Sequence, residues 1–196
     1  NTSGDSNTAI GAGALLTNTT SNNNTAVGRN ALNSNTAAEN TAVGYLSLSQ
    51  NSSGNSNTAV GVCALRLATT VNNNTAIGTC AMEATTTGAN NTAVGFSALD
   101  ANTTGCENVA VGRDTLFSNT SGERNTALGY RALCSNTSGD FNTAVGRCTL
   151  VANTTGVRNV ALGLNAMFTN STGDGNVAIG SNSLYHSTVD DIFFFF

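Results

Sequence analysis

The chain has 196 residues and a formal net charge of -4; 39% of its residues are hydrophobic, 9% are charged, and it contains no Pro and no Trp. So small a charge, with seven Arg and no Lys as the whole basic complement, excludes the basic stripe by which a protein holds nucleic acid. No apolar run approaches the roughly 18 to 20 residues needed to span a bilayer as a helix.

Low charge and few aromatics also describe disordered chains, but here the apolar residues recur too strictly for disorder. In chain order, Asn1 to Ser6 (NTSGDS) matches the closing positions of the repeat that follows. The chain is therefore expected to open in mid-coil, as a piece of a longer fibre. From residue 7 to about 187 a single unit recurs, beginning at Asn7, Asn24, Asn40, Asn57, Asn74, Asn91, Asn108, Asn125, Asn142, Asn159 and Asn176. Every interval is seventeen residues except Asn24 to Asn40, which is sixteen. Repeats this short mark stacked coils, so length counts coils rather than domains.

Numbering each coil from its Asn, position 3 is Ala and position 5 is Gly in all eleven copies. Position 2 is Thr or Val, and position 4 is Val, Ile or Leu. β-Branched residues two apart predict one face of a strand. Positions 8 and 9, a small residue followed by Leu or Met, predict a second short strand. The remainder, often Asn-Thr-Thr-Gly with two variable residues, has turn chemistry. No segment carries a helical period, so helical repeats are rejected. The prediction is an all-β, parallel β-solenoid of about eleven coils over 7–187. Identical residues then stack about 4.8 Å apart, giving a rod of about 50 Å. Positions 4 and 9 are expected to face its interior. The Ala column then faces the opposite way, open to a second chain, or else fills a narrow corner inside its own coil. Residues 188–196 are a tail. Its Ile192 to Phe196 run (IFFFF) caps the last coil, enters a further subunit, or is a misdetermined end.

"NVAVG", "NVALG" and "NVAIG" at Asn108, Asn159 and Asn176 resemble the YadA-like head repeat of trimeric autotransporter adhesins. The longer form with "ALxxNTTG" is similar to repeats in phage and bacterial fibre stalks that often precede a self-cleaving chaperone domain. The family head repeat is a few residues shorter and has Val where Thr dominates position 2 here. The resemblance implies a left-handed parallel β-roll, three chains side by side, at a cell or virion surface.

Chemistry for catalysis is sparse. His186 is the only histidine. Asp100, Glu107, Asp114, Glu123, Asp140 and Asp174 are read as lying at different repeat positions, so stacking is expected to build neither a carboxylate pair nor a calcium ladder. Asp190 and Asp191 are read as a solvated turn. The glycines carry no phosphate-binding motif. No cofactor, metal site or enzymatic activity is expected; a polysaccharide lyase or tailspike hydrolase needs longer coils and clustered carboxylates. Of the five cysteines, Cys63 and Cys80 share position 7, within disulfide reach if stacked, yet in-register side chains point the same way and strain that bond. Thr8, Thr25, Thr41, Thr58, Thr75 and Thr92 form a ladder that invites comparison with ice-binding solenoids. Those display two exposed Thr rows, and Val109, Val160 and Val177 fit a half-buried column better.

Two surface features remain. Asn18, Asn51, Asn102, Asn119, Asn136, Asn153 and Asn170, like Asn1, each begin Asn-x-Ser/Thr and are formal N-glycosylation acceptors, although the same residues are simply good turn chemistry. Variable positions carry aromatics and Arg, among them Tyr45, Phe96, Arg113, Tyr130 and Arg131, a mixture suited to contact patches. The expected role is an extracellular fibre or adhesin stalk, or a phage or virus tail-fibre shaft, or a glycosylated environmental fibril. It would be self-associated as a homotrimer or end to end, presenting these positions to a host-surface glycan or protein.

Overall fold

The computed structural model describes residues 2–186, Asp190 and the backbone of 193–195. It is a parallel β-solenoid with one three-residue strand per coil, from β1 (Thr8–Ile10) to β11 (Val177–Ile179). The strands stack in sequence order as a single sheet, Thr on Thr, Ala on Ala. A further strand, β12 (Phe193–Phe195), continues the sheet beyond β11, with Phe194 in register with Ala178. Residues 193–195 of the closing run thus extend the ladder. Ile192 and Phe196 lie outside the described residues, as do Asn1 and Asp191.

The strand register reverses one expectation. Ala at position 3 faces inward and is fully buried from Ala26 to Ala178, whereas Val111 at position 4 is 37% exposed. The physical reason is the size of the coil. Opposite the strand the coil must also seat the small residue of position 8, the Leu or Met of position 9, and the Asn side chains of positions 1 and 12, all buried. Only a methyl group fits between them. Alternation along a strand then sends positions 2 and 4 to the outside. The Ala column is therefore a corner filler and offers nothing to another chain. Position 9 faces inward as expected, with Leu32, Leu48, Leu65, Met82, Leu99, Leu116, Leu133, Leu150 and Met167 fully buried.

The predicted second strand is instead a tight turn. Position 7 and position 9 both adopt left-handed backbone, as at Cys63 (φ 58) and Leu65 (φ 50). Bulky residues avoid this region unless their surroundings hold them there. Here the stack holds them from both sides. The Cys63 N–H donates to Tyr45 O of the preceding coil (2.9 Å), and the Leu65 N–H donates to Ala81 O of the following one (3.0 Å). The same turn swings position 9 into the interior.

Two columns of Asn side chains form internal ladders. At position 1, the Asn108 N–H donates to Asn91 Oδ1 (2.9 Å), and Asn91 Nδ2 donates to Gly105 O across its own coil (2.9 Å). At position 12, Asn119 Nδ2 donates to Asn102 Oδ1 (2.9 Å) and to Gly122 O (3.0 Å). Buried amides satisfied in this way stabilise the coil, and an unpaired one costs about 1–3 kcal/mol. Gly at position 15 follows from this: a β-carbon on Gly105 would lie 2.5 Å from Asn102 Oδ1. One coil replaces the pair by an apolar one, with Ala68 at position 12 and Val71 at position 15, both fully buried. The sixteen-residue coil loses position 14. Asn24 Nδ2 reaches Ala37 O (2.9 Å) thirteen residues on, where Asn91 reaches Gly105 O (2.9 Å) fourteen on. The deletion falls in the polar turn, where the loss of a residue leaves both ladders in phase.

Candidate functional site

Because positions 8 and 9 turn inward, a furrow opens along the rod between positions 6 and 7 on one side and position 10 on the other, whose residues range from exposed (Phe117) to buried (Ser49, Cys134 and Val151). Two cavities lie in it. One, of about 180 Å³, falls in the second and third coils, among Asn30, Asn33, Leu46 and Ser49. The larger, of about 260 Å³, lies between the seventh and eighth coils and is lined by Asp114, Phe117, Tyr130, Arg131 and Cys134.

Of the predicted contact residues, Tyr130 and Arg131 line this larger groove, and Phe96 and Arg113 precede Tyr130 in the position 6 column. Phe96, Arg113, Tyr130 and Arg147 occupy position 6 of four consecutive coils. Arg113 sits over the Phe96 ring (5.5 Å) and Arg147 over the Tyr130 ring (5.8 Å). Such cation–π pairs are worth about 0.5–1 kcal/mol at exposed sites, enough to order the side chains. Arg131, at position 7 of the eighth coil, is exposed beside Tyr130. Tyr45 is exposed on the same ridge but in the third coil, remote from the groove. Phe117, Arg147, Asp114 and Cys134 complete the arrangement. Positions sharing a column were legible from the seventeen-residue period, but the partnership of positions 6 and 7 with position 10 was not, since it depends on the inward turn between them.

Charges stack by the same rule. Arg66 pairs with Glu83 (2.7 Å) and Arg124 with Glu107 (2.9 Å), each across one coil step. Arg113 pairs with its neighbour Asp114 (3.2 Å). Against expectation, stacking does bring carboxylates together: Glu83 lies between Arg66 and Asp100 in the position 10 column, and Glu123 stands next to Asp140 in the position 16 column. Burial opposes its ionisation, but hydrogen bonds from Cys80 and Arg66 outweigh this and lower its pKa. The Cys80 thiol is pushed up to about 12 by burial and by its hydrogen bond to Glu83. Cys63 and Cys80 are both free thiols, so the disulfide does not form between these stacked, in-register side chains.

Burial, reinforced by the neighbouring Glu83, raises the Asp100 carboxyl above its ordinary value. A raised folded-state pKa means that the folded chain holds the proton more tightly than the unfolded one. Stability is then lost as pH rises from the ordinary Asp value through the raised one. Asp100→Asn is accordingly expected to raise the melting temperature by a few degrees at pH 7 and to leave it unchanged near about pH 2.5, where Asp100 is protonated in both states. Thermal melts of the two proteins at both pH values check this.

The seven candidate glycosylation residues are all at position 12 and are 0–1% exposed. Their Nδ2 atoms donate inside the coil, as in Asn102 to Gly105 O (3.0 Å) and Asn136 to Asn119 Oδ1 (2.8 Å). A glycan on that nitrogen has no room in the folded coil, and the turn-chemistry reading of these residues stands in its place. The Thr residues of position 2, from Thr25 to Thr92, are half-buried on the strand face, and the row beside them is Val and Ile rather than Thr. His186 is exposed and packs edge-on against Tyr185 (4.6 Å), which stacks on Phe168 (4.8 Å). Asp190 accepts from the Asp174 N–H (2.8 Å). Among the described residues no three His, Cys, Asp or Glu side chains come together as metal ligands, and no helix is long and apolar enough to cross a membrane. No protein-family model matches the chain, and no curated protein matches it.

Proposed function

We propose that this chain is a section of an extracellular structural fibre or adhesin stalk that associates with copies of itself and presents its variable ridges for attachment. The observation that carries this reading is the outward face of the sheet. Position 4 forms a continuous column of Val, Ile and Leu, with Ile10, Ile77, Val111 and Leu128 among its exposed members, flanked by the Thr or Val column of position 2. Monomeric proteins rarely expose so long an apolar strip. Its period suits a like chain, because only a partner with the same axial rise of about 4.8 Å can match every rung. Three chains meeting on these faces bury all three strips about one axis, a closed arrangement typical of homo-oligomers. A cellular stalk and a phage or virus tail-fibre shaft call for the same rod.

Light scattering on the purified rod is expected to return three chains. Val94→Asp combined with Val111→Asp is expected to yield a folded monomer, since the charges lie on the outward face and leave the interior unchanged. A stable monomer for the unmodified chain at micromolar concentration overturns self-association through this face.

A further inference from the structure

We infer that the groove between the seventh and eighth coils, with the ridge that continues into the ninth, is a binding site for an acidic saccharide chain, one bearing carboxylate or sulfate groups. The inference rests on the attachment role proposed above and names the chemistry of what is attached.

Three observations lead to it. The groove offers exposed aromatic rings, Tyr130 at 38% and Phe117 at 39% exposure, beside a cavity of about 260 Å³. Flat apolar rings with polar groups at their rims suit the C–H faces and hydroxyls of a sugar. The local charge is opposite to that of the molecule. The chain carries a net -4, yet positions 6 and 7 of the seventh to ninth coils hold Arg113, Arg131 and Arg147 against the single carboxylate Asp114, which Arg113 engages at 3.2 Å. Arg131 and Arg147 make no ion pair among the described residues, and guanidinium forks match carboxylate and sulfate oxygens. The third observation is linear. The furrow runs up the rod, with cavities in the second and third coils as well as here. Arg113 and Arg147 recur two coils apart, about 10 Å, on the scale of two sugar units in an extended chain. A neutral glycan leaves the charges of Arg131 and Arg147 without an ion pair, and a compact anion uses neither the rings nor the furrow.

Pre-ordering supports the assignment. Arg147 is held over the Tyr130 ring at 5.8 Å and Arg113 over Phe96 at 5.5 Å, so two of the cations are already placed before a ligand arrives, which lowers the cost of ordering them on binding.

Isothermal titration calorimetry of the intact chain tests the site with alginate oligosaccharides as the carboxylate probe, carrageenan oligosaccharides as the sulfate probe, dextran oligosaccharides as the neutral control and inorganic sulfate as the bare anion. At least one of the two acidic oligosaccharides is expected to bind, and the tighter one names the anionic group. Binding is expected to weaken with rising salt and to fall by about tenfold or more with either Tyr130→Ala or Arg131→Ala. Arg29→Ala, on the same ridge but in the second coil, is expected to leave it unchanged. Both groove variants alter exposed side chains, and circular dichroism verifies that they remain folded. Failure of both acidic oligosaccharides to bind, equal binding of dextran, equal binding of inorganic sulfate, or affinity indifferent to Tyr130 and Arg131 overturns the inference. Light scattering on the same samples keeps the two proposals apart. A self-associated rod that binds no saccharide removes this site alone, and a monomer that binds it removes the self-association alone.

Discussion

Leu133→Asp is expected to abolish the folded rod or to cost more than about 4 kcal/mol, whereas Val111→Asp keeps the same far-ultraviolet circular dichroism as the parent chain. Leu133 is fully buried and is the one large side chain that its coil encloses, while Val111 is 37% exposed. An aspartate at Leu133 places a carboxylate between Leu116 and Leu150, in a column with no cation to pair with it, and burial of an unpaired charge is among the few single changes that reach such magnitudes. An aspartate at Val111 lies on the outward face, where it opposes self-association and stays in water on a folded chain. Chemical denaturation followed by circular dichroism distinguishes them. Loss of the folded signal in both variants places position 4 inside the coil after all, and retention in both removes position 9 from the core.

Gly95→Ala is expected to be nearly as damaging, at about 3 kcal/mol or more, although it adds one methyl group. Gly95 has φ 142, in a region that side chains scarcely enter and that costs about 1–3 kcal/mol to occupy. Its β-carbon would lie 2.5 Å from the carbonyl oxygen of Gly112 in the next coil. Relieving that overlap means parting the sixth and seventh coils, against bonds such as the Gly112 N–H to Val94 O (2.8 Å). The break should be local. A reduced denaturation midpoint together with new protease cleavage between residues 95 and 112 is the expected result, and an unchanged midpoint would show that the coils are not in van der Waals contact at this corner.

The sequence by itself determined the seventeen-residue period, the stacking of like on like, the inward Leu or Met of position 9 and the Gly corner of position 5. Each of these follows from chemistry confined to one coil and repeated along the rod. It also showed which variable residues share a column, so the alignment of Phe96, Arg113 and Tyr130 was already legible. What it left open was which side of the strand is the interior. Alternation puts Ala127 and Leu128 on opposite faces, and hydrophobicity alone favours burying Leu128. The coil decides otherwise, because Leu133, Ala132, Asn125 and Asn136 already occupy its cross-section, and across from them there is space only for a methyl group. The same crowding takes Asn136 from a polar turn into a buried hydrogen-bonded ladder, where its Nδ2 donates to Asn119 Oδ1 at 2.8 Å, and turns positions 8 and 9 inward to open the furrow beside Tyr130. These outcomes depend on how many side chains must share one narrow interior, a quantity set by the closed coil and absent from any single stretch of the chain.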